Sequence, residues 1–426
     1  MKPTRKQAFK HLRASDLRGV AQLATQATVG VTRIAEGVHQ AVWSVMGAQG
    51  GAVPGSTRGI AGLVYRGIRG ASEWVGQSLD KSLAPLESRL ASADAAQPET
   101  PQREAVLAAL NGVLGDRLAA ANSPFATPMT LRLRGQALDW KGRPAADACT
   151  SKVVLLVHGL CMNDLQWQVP SAPPAESGKH PRVSTSDHGA ALAAALGATP
   201  VYLRYNTGRH ISQNGQDLAA QLEQLVDHWP VALEEITVVA HSMGGLVIRS
   251  AVHSARQQGL LWPERLRNLV FLGTPHHGAP LERAGSWVDV LLGSSRFAAP
   301  FARLARLRSA GITDLRYGLL LEQDWSGQDR FRHQPDRRQP VPLPEGVACY
   351  TVAATTAARR SLLAERLVGD GLVPLPSALG QHADPLRCLG FARDAQWVAY
   401  RTSHLALLHH PDVTQKLLHW LAQTAR

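Results

Sequence analysis

The chain has 426 residues, 45% of them hydrophobic, and a formal net charge of +12, which excludes a low-complexity or collagen-like polypeptide and allows one large α/β domain with an appendage. The charge favours nucleic acid, anionic lipid or acidic substrates. The basic residues are spread along the chain without a recognisable nucleic-acid module, however, so no nucleic-acid partner is expected.

Residues 1–128 differ in texture from the rest. The first twenty are basic but lack the apolar run of a secretory signal. Nowhere do about 18 apolar residues follow one another without a break, so no spanning helix is expected and the default location is the cytoplasm. From Leu17 a stripe through Val20, Ala24, Val31, Ile34 and Val38 recurs by threes and fours, as on one face of a helix. The Gly- and Pro-rich stretch 49–56 breaks it. A second stripe through Ile60, Leu63, Ile68, Trp74 and Leu79 follows, with Arg58, Arg66, Arg69 and Lys81 beside it. This predicts a helical hairpin, then a polar link at 92–102 and a helix at 103–120. The hairpin either packs on the catalytic domain or on its own copy, or lies on a lipid surface as a peripheral contact.

From about 129 strand and helix alternate. The segments 129–134 and 136–140 fit an antiparallel edge hairpin. Apolar runs recur at 153–157, 199–204, 236–240, 268–272, 347–353 and 396–400, with helical stretches such as 187–196, 214–228 and 243–257 between them. Near-continuous apolar strands separated by helices predict a mostly parallel sheet covered on both faces. The segment 279–345 is too long for an ordinary connection. Its first part, at 286–292 and 301–307, has an amphipathic helical pattern, and its second part is polar. It is expected to form a cap or lid over the site. The domain expectation is therefore a helical region at 1–128 and a catalytic domain at 129–426.

The strongest chemical signal is ITVVAHSMGGLV at 236–247, an apolar strand that runs through small residues and Ser242 into a helix. This is the pattern of a nucleophile elbow, which holds a serine hydroxyl over the sheet edge. The usual motif begins with Gly, where this chain has Ala240. A serine hydroxyl needs a base and the base needs an orienting acid, downstream in the order Ser, acid, His. LVGDGLVP at 367–374 supplies Asp370 in a glycine-flanked loop, with Asp384 and Asp394 as competitors. His404 follows the last apolar strand, ahead of a terminal helix at about 412–424. His409 and His410 fall later, and His276 and His277 precede the acid. An oxyanion hole is expected from the backbone amides of Leu160, in the strand-ending HGL at 158–160, and of Met243, the residue after the nucleophile.

These pieces, together with RYNTGRHI at 204–211 and GTPHHGAPLE at 273–282, resemble bacterial α/β-hydrolases of the esterase/lipase group, a group similar to the hydrolase domain of GPI inositol-deacylases. The resemblance covers about 150–426 and not the N-terminal helices. It implies the α/β-hydrolase fold, cleavage of carboxylic esters, often of lipids, and no metal or organic cofactor. It also implies that the 273–278 loop lies beside the site and shapes it. Thioester hydrolysis or acyl transfer would use the same triad. A lipid- or membrane-surface binding protein acting through the N-terminal helices is the alternative from another class. Cys149, Cys161, Cys349 and Cys388 form no CxxC pair, so neither a zinc site nor a disulfide framework is expected.

Overall fold

The computed structural model describes residues 99–140, 149–168, 187–279, 308–328, 336–358 and 369–424, and before them only Asp16, 18–25, 52–53, 56–57 and a few helical positions between 66 and 81. The expected helices at 286–292 and 301–307, most of the N-terminal hairpin, and so the greater part of the expected cap lie outside the described residues. Within the connection expected only to break the hairpin, Ala52–Val53 and Ser56–Thr57 pair as two short antiparallel strands. The chain forms two compact units. One comprises Met1–Arg103 and Leu118–Ala126, the other Glu104–Arg117 and Thr127–Arg426.

The larger unit is built on eight strands: β1 (Thr130–Leu133), β2 (Gln136–Ala137), β3 (Lys152–Val157), β4 (Thr199–Arg204), β5 (Glu235–His241), β6 (Leu266–Leu272), β7 (Ala348–Thr355) and β8 (Gln396–Tyr400). Their order in the sheet is β8-β7-β6-β5-β3-β4-β1-β2. The six strands from β8 to β4 run parallel, while β1 joins β4 antiparallel and β2 returns beside β1. The parallel strands are mostly apolar, with continuous runs such as Val153–Val157 and Val238–Ala240, because both faces are covered. Even-numbered residues such as Val154, Leu156, Val270, Leu272, Val352 and Ala354 share a core cluster with Leu192, Val413, Leu417 and Leu421. The helices that supply those last four, α2 (His188–Leu196) and α6 (Pro411–Thr424), pack together. The alternate residues Val153, Leu155, Val157, Val238 and Phe271 are equally buried and, by the strand's two-residue period, face the other way.

Further helices of this unit include α3 (Ile211–His228), α4 (Met243–Gln258) and α5 (Ala310–Tyr317). Helices α3 and α4 pack side by side through apolar faces that include Leu218, Leu222, Leu246 and Ala251. Helix α3 starts at Ile211 rather than at 214 as the periodicity predicts. The Ile211 amide donates to Asp314 Oδ2 at 2.8 Å, so a carboxylate 103 residues away caps that first turn. Strand β2 is also shorter than predicted, because Gly135 turns the chain at φ 79° and only Gln136–Ala137 pair regularly. A helix at Pro101–Ala120, one residue pair longer than expected at its start, contributes Glu104–Arg117 to the larger unit. Among the described residues no helix is long and apolar enough to cross a membrane.

Candidate active site

Strand β5 ends at His241 and α4 begins at Met243, leaving Ser242 alone in the turn at φ 55° and ψ −123°. A non-glycine residue held at positive φ costs about 1–3 kcal/mol and persists only where its surroundings enforce it. Two contacts do so. The Ser242 amide donates to Leu272 O at the end of β6, 2.8 Å away, and the Gly245 amide folds back to Ser242 O at 3.1 Å. The small residues around Ser242 follow from the same close approach. A Cβ on Gly244 would stand 2.7 Å from the carbonyl oxygens of both Val157 and His158. The methyl of Ala240, one position before His241, is fully buried and accommodated.

Asp370 and His404 meet 34 residues apart in sequence. His404 Nδ1 lies 2.6 Å from Asp370 Oδ2, with both side chains 1% exposed. Asp370 is itself fixed: its Oδ1 accepts the amides of Leu372 at 2.9 Å and Val373 at 2.7 Å, and its carbonyl accepts the His404 amide at 3.1 Å. A carboxylate that accepts several N–H groups is held in one orientation. The competing acids are used elsewhere. Asp384 caps the turn at Pro385–Arg387, and Asp394 is exposed.

His404 reaches the serine turn through two neighbours. A Cβ on Gly273, which follows Leu272, would stand 3.1 Å from the His404 ring. His241 Nε2 lies 3.0 Å from His404 O, with the two rings 4.7 Å apart. A carbonyl only accepts, so the His241 proton sits on Nε2. Burial pushes this imidazole well below its usual pKa, and His404 pushes it the same way. His241 is therefore a neutral donor that holds the backbone of His404. The sequence marked His241 only as part of the serine motif. Its contact spans 163 residues, and no local pattern announces it.

The strand-end loop expected to supply the second oxyanion donor lies against the serine. A Cβ on Gly159 would stand 2.9 Å from Ser242 Cβ. Leu160 is buried beside it. Met243 is the first residue of α4, so its amide belongs to the first helical turn, where N–H groups have no partner within the helix. The strand end itself is pinned by Tyr205, whose hydroxyl donates to His158 O at 2.9 Å and whose ring stacks on His158 at 4.4 Å.

Residues 104–117 buttress this loop, a role the sequence did not reveal. Glu104 Oε2 accepts from Arg204 at 2.9 Å, and Arg204 also pairs with Asp164. Asn163 Nδ2 donates to Glu104 O at 3.1 Å. Further along the helix, Asn206 Nδ2 donates to Gly115 O at 2.9 Å, and any side chain at Gly115 would overlap Asn206. The carboxylates and guanidinium of Glu104, Asp164 and Arg204 are almost fully buried, so their mutual pairing offsets the cost of leaving water.

The described part of the insertion begins with α5, capped by Ser309, whose hydroxyl also donates to Gly112 O at 2.6 Å. Asp314 on α5 forms a second Asp–His pair, with His210 Nδ1 3.0 Å from Oδ2. Burial raises the Asp314 pKa, opposed by His210. The His210 ring stacks on Trp325 at 3.6 Å and 5°. As the resemblance implies, the 273–278 loop adjoins the site. It leaves β6 at Gly273 beside His404 and ties to the segment after Asp370, with His276 N donating to Ser377 O at 3.2 Å and Ser377 Oγ to Gly278 O at 2.8 Å.

Residues 148–337 match the family model described as a PGAP1-like alpha/beta domain. No curated protein matches the chain. Among solved structures, the chain is similar to the mature Bacillus licheniformis lipase BlEst2, with 17% identity over 69% of this chain and 97% of that one and a TM-score of 0.39. It is similar to the Staphylococcus hyicus lipase at 11% identity, 65% and 96% coverage and a TM-score of 0.37. It is also similar to Aspergillus fumigatus lipase B at 11% identity and a TM-score of 0.36, over 67% of this chain and 54% of that one, so it spans about half of that protein's length. The family match and the strand order bear out the α/β-hydrolase fold and the resemblance drawn from the motifs.

Proposed function

We propose that this chain is a serine hydrolase that cleaves carboxylic esters through Ser242, His404 and Asp370. The observation that carries the reading is the buried 2.6 Å pair of Asp370 and His404, tied through His241 and Gly273 to a serine held at φ 55° between strand and helix. With Nδ1 protonated toward Asp370, His404 presents Nε2 as the base. It removes the Ser242 proton as Oγ adds to the ester carbonyl, and the amides of Leu160 and Met243 receive the negative oxygen, where one lost donor costs ~10²–10³ in turnover. The tetrahedral intermediate collapses, the alcohol leaves with the proton from His404, and an acyl-serine remains. Water then repeats the two proton transfers and releases the acid. Asp370 fixes the imidazole tautomer and stabilises the imidazolium in both halves. The chemistry is assigned to residues 129–426, with Glu104–Arg117 holding the loop before Asp164.

A fluorophosphonate probe tests the activated serine without a known substrate. Wild type is expected to label covalently and to hydrolyse p-nitrophenyl butyrate, and Ser242→Ala to do neither. A folded wild type that does not label, or a Ser242→Ala variant that labels as well, overturns the proposal.

A further inference from the structure

Away from Ser242, a cavity of about 290 Å³ is walled by Arg249 of α4, by His276 and His277, and by the segment that carries Arg338 to Pro342. Its charged groups are not evenly matched. Asp324 spends Oδ2 on the amides of Leu320 and Leu321 and Oδ1 on that of Gln339. Asp336, close by, forks onto Arg338 at 2.9 and 2.7 Å and reaches Arg387 at 3.3 Å, contacts that hold its carboxyl down to about 2. Arg387 also meets Asp384 at 3.3 Å.

Arg249 has no such partner. Its side chain is buried, 4% exposed, and among the described residues no carboxylate lies within ion-pair distance. One terminal nitrogen donates to Val341 O, the other is 3.4 Å from His276 Nδ1, and Nε has no partner among the described residues. At most two of its five N–H donors are used. Burial pulls this guanidinium down to about 9, with Arg338 acting in the same direction, so it is still charged at neutral pH.

Of the two histidines, His276 adds to the surplus of donors. Where His276 Nδ1 accepts from Arg249, its proton is on Nε2, which is buried without a partner. His277 donates to the Gly380 carbonyl, so in its neutral ring the unpartnered Nε2 is an acceptor. Burial keeps both rings neutral, His277 down at about 4. A buried cation with spare donors is costly unless an acceptor meets it. The group that complements Arg249 and His276 carries acceptors and negative charge. Leu320, Val341 and Leu389 give the remaining wall an apolar character, and the volume suits a small ligand.

We propose that this cavity binds the oxyanion group of a small molecule, a carboxylate or a phosphate, with Arg249 as its charged anchor and the apolar wall receiving a short hydrocarbon part. None of Ser242, Asp370 and His404 lines this cavity, and the proposal stands whether or not the serine reading holds.

Isothermal titration of the full chain tests it, with sodium phosphate, sodium acetate and sodium hexanoate as probes and sodium chloride matching the ionic strength. At least one probe is expected to saturate at one site per chain. Phosphate binding without the carboxylates identifies a phosphate ligand; hexanoate tighter than acetate identifies a carboxylate with a chain. Arg249→Met is expected to weaken binding at least about ten-fold, the scale of one charge-assisted contact, and to leave fluorophosphonate labelling unchanged. Should that variant fail to fold, Arg387→Gln, at the rim, is expected to weaken binding several-fold. No saturable binding by any probe overturns the proposal, and so does unchanged affinity in a folded Arg249→Met or, failing that, in Arg387→Gln.

Discussion

Among the described residues, two buried aspartates of the larger unit each meet a histidine, in pairs that look alike by composition and differ in what surrounds them. In the first, Asp370 and His404 are both 1% exposed, 2.6 Å apart, and clamped by two amides on one carboxylate oxygen. In the second, Asp314 is as deeply buried, but His210 is 16% exposed, and the pair caps α3 while the imidazole lies flat against Trp325. An orienting carboxylate alone does not make a catalytic base. The first pair is joined to a strained serine turn through His241 and Gly273, whereas the second is joined to a helix start and an indole. A buried carboxylate orients an imidazole beside the serine turn in one place and caps a helix start in the other.

The sharpest way to break that comparison is to neutralise each acid. Asp370→Asn is expected to lower kcat on p-nitrophenyl butyrate by ~10⁴, through the wrong imidazole tautomer, while Asp314→Asn leaves kcat near wild type. Equal losses in the two variants would erase the distinction. Next in size is pH. Burial pushes His158 and His188 down to about 4, and His241, beside the first pair, well below its usual value. The unfolded chain therefore binds more protons between about pH 4 and 6.5. This contribution to stability is full above 6.5 and is lost as pH falls toward 4, by up to about 1.4 kcal/mol per pH unit for each fully neutral imidazole. Asp314 acts in the opposite sense, because burial raises its pKa. Its contribution is present below the usual carboxylate range and is lost as pH rises through its native value. Urea midpoints measured from pH 7.5 to 5 should fall in wild type and fall less in His188→Gln. An equal slope in both would refute the assignment of that loss to buried imidazoles.

Smaller effects sharpen the structural side. Asp314→Ala leaves the Ile211 amide and His210 without their acceptor and is expected to cost about 1–3 kcal/mol in urea denaturation, with fluorophosphonate labelling retained. Trp325→Leu removes the stack on His210 and the indole donor to Ser212 Oγ. It should cost about 0.5–1.5 kcal/mol for the ring pair, seen as a small drop in melting temperature. Loss of labelling in either variant would tie the second pair to the serine after all.

Much of this was legible along the chain. Apolar runs located six parallel strands within a few residues, since a strand covered on both faces is mostly apolar. The serine turn, the glycine-flanked Asp370 and the placement of His404 after the last strand could be read from local spacing, because each is a strand end feeding a loop. The start of α3, the buttress from Glu104 to Gly115, the role of His241 and the unmatched Arg249 could not. Each depends on a partner between 27 and 163 residues away in sequence. Arg249 in particular is buried on α4 with a bond to Val341 O, 92 residues away, a contact made only on folding.

The sequence by itself determined the alternation of strands and helices and the order of serine, acid and histidine, because these follow from short-range periodicity and from turns written in a few adjacent residues. Only the tertiary structure decided which aspartate meets which histidine, which helix supports the loop beside the serine, and which arginine is buried without a counter-charge. Those outcomes are set by burial and by hydrogen bonds between segments that the chain brings together only on folding, where the loss of water makes each unmet charge or donor costly enough to matter.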